Sequence, residues 1–129
     1  KAYLFEKALL PSGWTDQVLV EIGDDGRIVR VASGLASAAA EKVAGIALPG
    51  MPNLHCHAFQ KGMAGLGERR GPANDSFWTW REVMYRFLAA LTPDDVEAIA
   101  AFAYVQMLEH GFTRVGEFHY LHHGIGAAP

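Results

Sequence analysis

Polar and apolar positions divide this chain into two halves of different rhythm. In the first, short apolar runs are broken by turn residues, which is the pattern of strands. Residues 2–5 read as a strand, 11–13 as a turn, and 17–22 as a strand with a period-two pattern. Gly23-Asp24-Asp25-Gly26 is a hairpin turn, because Asp-Gly readily takes positive φ. Residues 27–31 form the returning strand, 33–41 a loop, and 42–48 a last strand. So few short strands do not complete a sandwich by themselves.

The rhythm changes at Pro49-Gly50. A strand follows that ends in His55-Cys56-His57, and then a stretch holding Gly62, Gly65, Gly67 and Gly71. We expect a loop with one helical turn there, and a mobile segment over residues 68–75. Asp75 or Ser76 caps a helix over residues 77–91. Thr92-Pro93-Asp94-Asp95 starts the next helix: an N-cap, a proline in the first turn, then two acids facing the positive end of the dipole. Val96, Ile99, Ala100, Ala103, Tyr104, Met107 and Leu108 recur at helical spacing, and His110-Gly111 closes the helix. His110 is placed to interact with the helix dipole. Residues 113–118 read as a strand that leads into His119-Tyr120-Leu121-His122-His123.

A strand, helices and a second strand make one unit of a parallel sheet. The residues with chemical potential lie at the C-terminal ends of both strands, where α/β barrels place their sites. A whole barrel takes ~250 residues, so we expect an α/β chain that supplies part of a β domain (residues 1–48) and the first part of a barrel (residues 49–129). The chain begins at Lys1 instead of Met, and we read it as a fragment; residues 124–129 match no element.

Composition narrows the function classes. Lys and Arg total 11 against 14 Asp and Glu, a net charge of −3, which argues against a nucleic-acid partner. No apolar run reaches the ~18 residues of a membrane span. Cys56 is the lone cysteine, so an internal disulfide is impossible and a reducing, cytoplasmic setting is expected.

His55 and His57 are the central chemical feature. Residues two apart on a strand share a face, and two neutral imidazoles make half of a zinc-type site. A pair of this kind is a weak signal alone; its place after a Pro-Gly turn and before a Gly-rich loop strengthens it. Cys56 points to the other face and is expected to pack in the core. Trp78 and Trp80 read as packing anchors. His119, His122 and His123 invite a second metal site, but structural roles are favoured for them. Arg81 is either a carboxylate-binding guanidinium or a surface helix residue paired with an acid such as Glu82.

The run Pro49-Gly50-Met51-Pro52-Asn53-Leu54-His55-Cys56-His57 resembles the first-strand signature of the amidohydrolase superfamily. Many members carry Asp where this chain has Asn53, and that departure is typical of the deaminase branch. Residues 59–66, 75–82 with Met84-Tyr85, and 111–123 resemble the formimidoylglutamate deiminases. The resemblance implies a (β/α)8 barrel with an N-terminal β-sandwich portion. It implies zinc-dependent hydrolysis of a formimidoyl C=N bond in histidine degradation, acting on a small dicarboxylate. By this similarity His55 and His57 are metal ligands, and Gln60, Arg81 and Tyr120 contact substrate. The remaining ligands, a His and an Asp, and the proton-shuttling Glu fall on later strands, so the fragment alone is expected to be inactive. The full-length protein is expected to be a homodimer. The rival readings are a superfamily deaminase acting on a cyclic amidine such as guanine, and a barrel that has lost its chemistry.

Overall fold

The computed structural model describes residues 1–35, 37–69 and 75–122. Gly71, His123 and residues 124–129 lie outside the described residues, as does much of the segment expected to be mobile. The chain divides into two compact units, Lys1–Pro49 and Gly50–Pro129.

The first unit is one four-stranded sheet in the order β3-β2-β1-β4. Strands β1 (Ala2–Leu10) and β2 (Gly13–Ile22) are antiparallel, β3 (Ile28–Ser33) pairs antiparallel with β2, and β4 (Glu41–Ala47) pairs parallel with β1. The first two strands are longer than the apolar pattern indicates. Cross-strand partners explain this: Lys7 lies opposite Asp16 with a 3.5 Å ion pair, and Leu9 lies opposite Trp14. Such pairing extends a strand through residues that are not themselves strongly strand-forming. The hairpin turn forms where expected: the Gly26 N–H donates to the Gly23 carbonyl at 3.0 Å, and the Gly23 N–H to that of Arg27 at 2.8 Å. Between Phe5 and Lys7 the register with β4 slips, at a bulge where Gly45 has φ +96°. Leu4, Ala8, Val18 and Leu19 are the buried apolar residues here.

The second unit carries the parallel pair β5 (Met51–Cys56) and β6 (Phe112–Glu117). A short 3-10 helix (Ala58–Met63), α1 (Phe77–Ala90) and α2 (Pro93–Glu109) connect them. The helix starts follow the caps. Ser76 Oγ accepts from the Trp78 N–H at 3.3 Å, and Thr92 Oγ1 accepts from the Asp95 N–H at 3.2 Å while Asp95 Oδ2 accepts from the Thr92 N–H at 2.9 Å. Helix α2 ends at His110, whose Nδ1 lies 2.7 Å from the Gln106 carbonyl oxygen, and Gly111 takes φ +84° to turn the chain into β6.

Two apolar clusters hold this unit. Phe59, Met63, Met84 and Leu91 form one, with Phe87, Ile99 and Tyr120 packed on it. Cys56, Ala58 and Ala103 form the other, with Tyr104 and Met107. The small side chains let α2 approach the end of β5 closely, which fixes where the residues after Cys56 emerge. Among the described residues no helix is long and apolar enough to cross a membrane.

Candidate metal centre

His55 and His57 come together at the C-terminal end of β5, with ring centroids 4.7 Å apart and planes at 80°. Strict alternation does not produce this arrangement. The β5–β6 register shifts between Asn53 and Cys56, and His57 lies just past the strand at φ −132°, ψ 79°. The Asn53 side chain supports the bend: its Oδ1 accepts from the His55 N–H at 3.2 Å. Its Nδ2 faces Met107 Sδ of α2 at 3.7 Å.

The ring of His57 is tied to the residue just past β6. Its Nδ1 lies 2.9 Å from the Phe118 carbonyl oxygen. A carbonyl only accepts, so Nδ1 is the donor, and in the neutral imidazole this leaves the lone pair on Nε2, the nitrogen then available to a metal. Two imidazoles are a donor set that suits a divalent ion of borderline softness, and they would make half of a tetrahedral site. Among the described residues, no three His, Cys, Asp or Glu side chains gather in a metal-binding group.

Glu117 ends β6 beside this pair, and its side chain is only 8% exposed. Its carboxylate accepts from the Ala58 N–H at 3.0 and 3.2 Å and from the Tyr104 hydroxyl at 3.1 Å. Burial first, then the hydrogen bond to Glu117 and its charge, push the Cys56 thiol up to about 12. Cys56 is thus a buried neutral thiol, in keeping with core packing. Burial first, then the charge of Glu117, likewise hold the Tyr104 phenol up at about 12.

Tyr120 joins the imidazoles. Its ring lies 4.9 Å from that of His57, 4.8 Å from Phe118 and 5.9 Å from Phe59. Its φ of +61° is rare for a bulky residue. Gln60 sits one turn past His57, with its N–H on the His57 carbonyl at 2.9 Å and its Nε2 3.5 Å from Met84 Sδ. Arg81 stands on the exposed side of α1. Its guanidinium carbon lies 4.9 Å from the Tyr85 ring centroid and 5.9 Å from that of Trp78, and Nη2 donates to the Tyr85 hydroxyl at 3.4 Å. Trp78, Arg81, Glu82, Tyr85 and Arg86 line one concavity there. The structure thus brings His55, His57 and Tyr120 into ring contact, while the contacts of Arg81 are with its own helix.

Residues 5–45 match the family described as "Formimidoylglutamate deiminase HutF, N-terminal domain". This segment is thus similar to the N-terminal domain of the formimidoylglutamate deiminases. Over 124 residues the chain is 52% identical to a formimidoylglutamate deiminase of Pseudomonas aeruginosa, covering 96% of the chain and 27% of that protein. It is 30% identical over 109 residues to an 8-oxoguanine deaminase of the same organism, covering 78% of the chain and 23% of that protein. The crystal structure of an amidohydrolase from Brucella melitensis superposes with a TM-score of 0.89 at 51% identity, over 99% of this chain and 28% of that one. The chain thus has the amidohydrolase fold over the stretch it spans, about a quarter of each relative's length.

Within this deiminase-like frame, the residue that sequence reading passes over is Glu117. Its contact with His119 is loose: His119 Nδ1 lies 4.0 Å from Glu117 Oε1 and His119 is exposed. The available signal is an acid in a strand between glycine and phenylalanine, a position where an unpaired charge is costly.

Proposed function

We propose that the protein carrying this sequence is a metal-dependent deiminase that hydrolyses N-formimidoyl-L-glutamate to N-formyl-L-glutamate and ammonia in histidine degradation. One observation carries the reading: the His55–His57 pair, with Nε2 of His57 left free by the Phe118 carbonyl, in a chain 52% identical to a formimidoylglutamate deiminase. His55 and His57 would hold a divalent ion, zinc in this reading. When bound, such an ion supplies a water nucleophile near neutral pH and polarises the C=N carbon.

The chain's other residues bind and orient. Arg81, braced between two aromatic rings, is suited to pair a substrate carboxylate with two parallel hydrogen bonds. Tyr120 presents its phenol beside the imidazoles. Gln60, one turn past His57, is suited to hydrogen-bond the amino-acid portion of the substrate. In the same reading a closed barrel completes the site, and the enzyme is a cytoplasmic homodimer. The single, buried cysteine supports the reducing compartment; the dimer and the barrel closure rest on the resemblance.

A second reading, a deaminase of a cyclic amidine, is favoured only by the 30% identity to an 8-oxoguanine deaminase. Ammonia release separates the two. The purified full-length protein, loaded with zinc, should release ammonia from formimidoylglutamate and not from guanine or 8-oxoguanine. Turnover of the purines alone would replace the first reading by the second.

A further inference from the structure

We propose that Glu117 is a positioning residue for His57, and that through it the carboxylate sets how tightly the metal is held. The inference rests on the metal-centre reading and goes beyond it, because Glu117 itself touches neither imidazole in the reading above.

Glu117, the last residue of β6, and Phe118 just past it grip the chain on both sides of His57. Before it, the Phe118 N–H donates to the Cys56 carbonyl at 3.0 Å, and Cys56 stands in register with Glu117. After it, the Ala58 N–H donates to both carboxylate oxygens of Glu117. At the ring itself, Phe118 holds Nδ1. His57 is therefore suspended between two fixed points while its own torsions, φ −132° and ψ 79°, belong to neither strand nor helix. Releasing the Ala58 N–H frees the backbone after His57 to relax. The ring would then lose its alignment with both His55 and the Phe118 carbonyl.

The carboxylate is also fixed from behind. Tyr104, on α2, donates its hydroxyl to Glu117 Oε2. Helix α2 packs on the 3-10 helix that begins at Ala58, so the same helix backs both the clamp and the segment it holds. A carboxylate placed only to cap the 3-10 helix would contribute stability and leave metal affinity untouched. A positioning role predicts a change in the metal, since groups that orient a ligand typically alter affinity 10–100-fold.

The test uses the full-length protein freed of metal and titrated with Co²⁺ against a chelator, with the visible Co²⁺ spectrum recorded. Glu117→Ala should weaken Co²⁺ binding by ~10-fold or more and change the spectrum. Glu117→Gln should recover part of the affinity, because the amide oxygen still accepts from the Ala58 N–H. Far-UV circular dichroism establishes that each variant is folded. A folded Glu117→Ala protein with wild-type affinity and spectrum would overturn the proposal, even if its melting temperature fell. If Glu117→Ala does not fold, Glu117→Gln is decisive: an unchanged affinity and spectrum overturn the proposal, and a weakened, altered site supports it. His57→Ala is the control. If that variant binds Co²⁺ like wild type, the metal-centre reading fails, whereas sensitivity to His57 without sensitivity to Glu117 removes only the positioning role.

Discussion

His57 Nδ1 lies 2.9 Å from the carbonyl oxygen of Phe118, the residue just past the neighbouring parallel strand β6. One backbone contact thereby fixes the tautomer of a side chain 61 residues earlier in the chain. It joins the C-terminal ends of β5 and β6, the edge at which parallel α/β folds generally present their chemistry.

The 129-residue stretch by itself is expected to turn over no formimidoylglutamate and to retain metal weakly. It offers two imidazoles to an ion that prefers four ligands, and among the described residues its β5–β6 pair has both outer edges unpaired. An ammonia-release assay and light scattering on the isolated stretch check this. Turnover by the stretch alone would mean that the site is complete within it.

Arg81 is expected to govern substrate affinity and leave the metal alone. In the full-length protein, Arg81→Ala should lower kcat/KM for formimidoylglutamate by at least ~30-fold, the order seen when one partner of a desolvated charge pair is removed. Zinc content should not change. Arg81→Lys should restore only part of the loss, because an ammonium lacks the planar fork. A neutral formimidoyl compound should be little affected. Equal impairment of charged and neutral substrates would show that Arg81 serves α1 through its stack on Trp78 and Tyr85.

The start of α2 gives a pH prediction. The Thr92 hydroxyl first, then the Thr92 N–H, hold the Asp95 carboxyl below its ordinary 3.8. A lowered folded value means that this stabilisation is complete above the unfolded value and is lost as pH falls through the folded one. Urea unfolding of wild type and Asp95→Asn should therefore differ near neutral pH and converge in strong acid. Thr92→Ala, which removes the N-cap oxygen, should cost about 1 kcal/mol near neutral pH. A wild-type advantage over Asp95→Asn that persisted in acid would contradict the charged capping box.

The sequence reveals features that depend on local chemistry. Thr92-Pro93 marks the start of α2, Gly111 marks its end, and Gly23 to Gly26 mark the first hairpin, because each needs only its own torsions or nearest neighbours. The histidine pair is legible for the same reason. Less legible is whatever depends on a distant partner. The full length of β1 and β2 follows from pairs such as Lys7 with Asp16, which no single-strand pattern contains. The shift in β5 arises from its ladder with β6, so the imidazoles meet by a bend and not by simple alternation. Glu117 is hidden most completely. Its partners, Ala58 and Tyr104, become neighbours only after α2 has packed against the end of β5.

The most direct measurement is metal content by elemental analysis of the full-length wild type beside His55→Ala and His57→Ala. The expected result is one divalent ion in the wild type and substoichiometric metal in both variants, with deiminase activity lost in step and the fold largely retained. The Asn53 amide, two residues before His55, does not substitute for either imidazole, since it is turned to the backbone and to Met107. Full metal occupancy in both folded variants would contradict the account and place the metal away from β5.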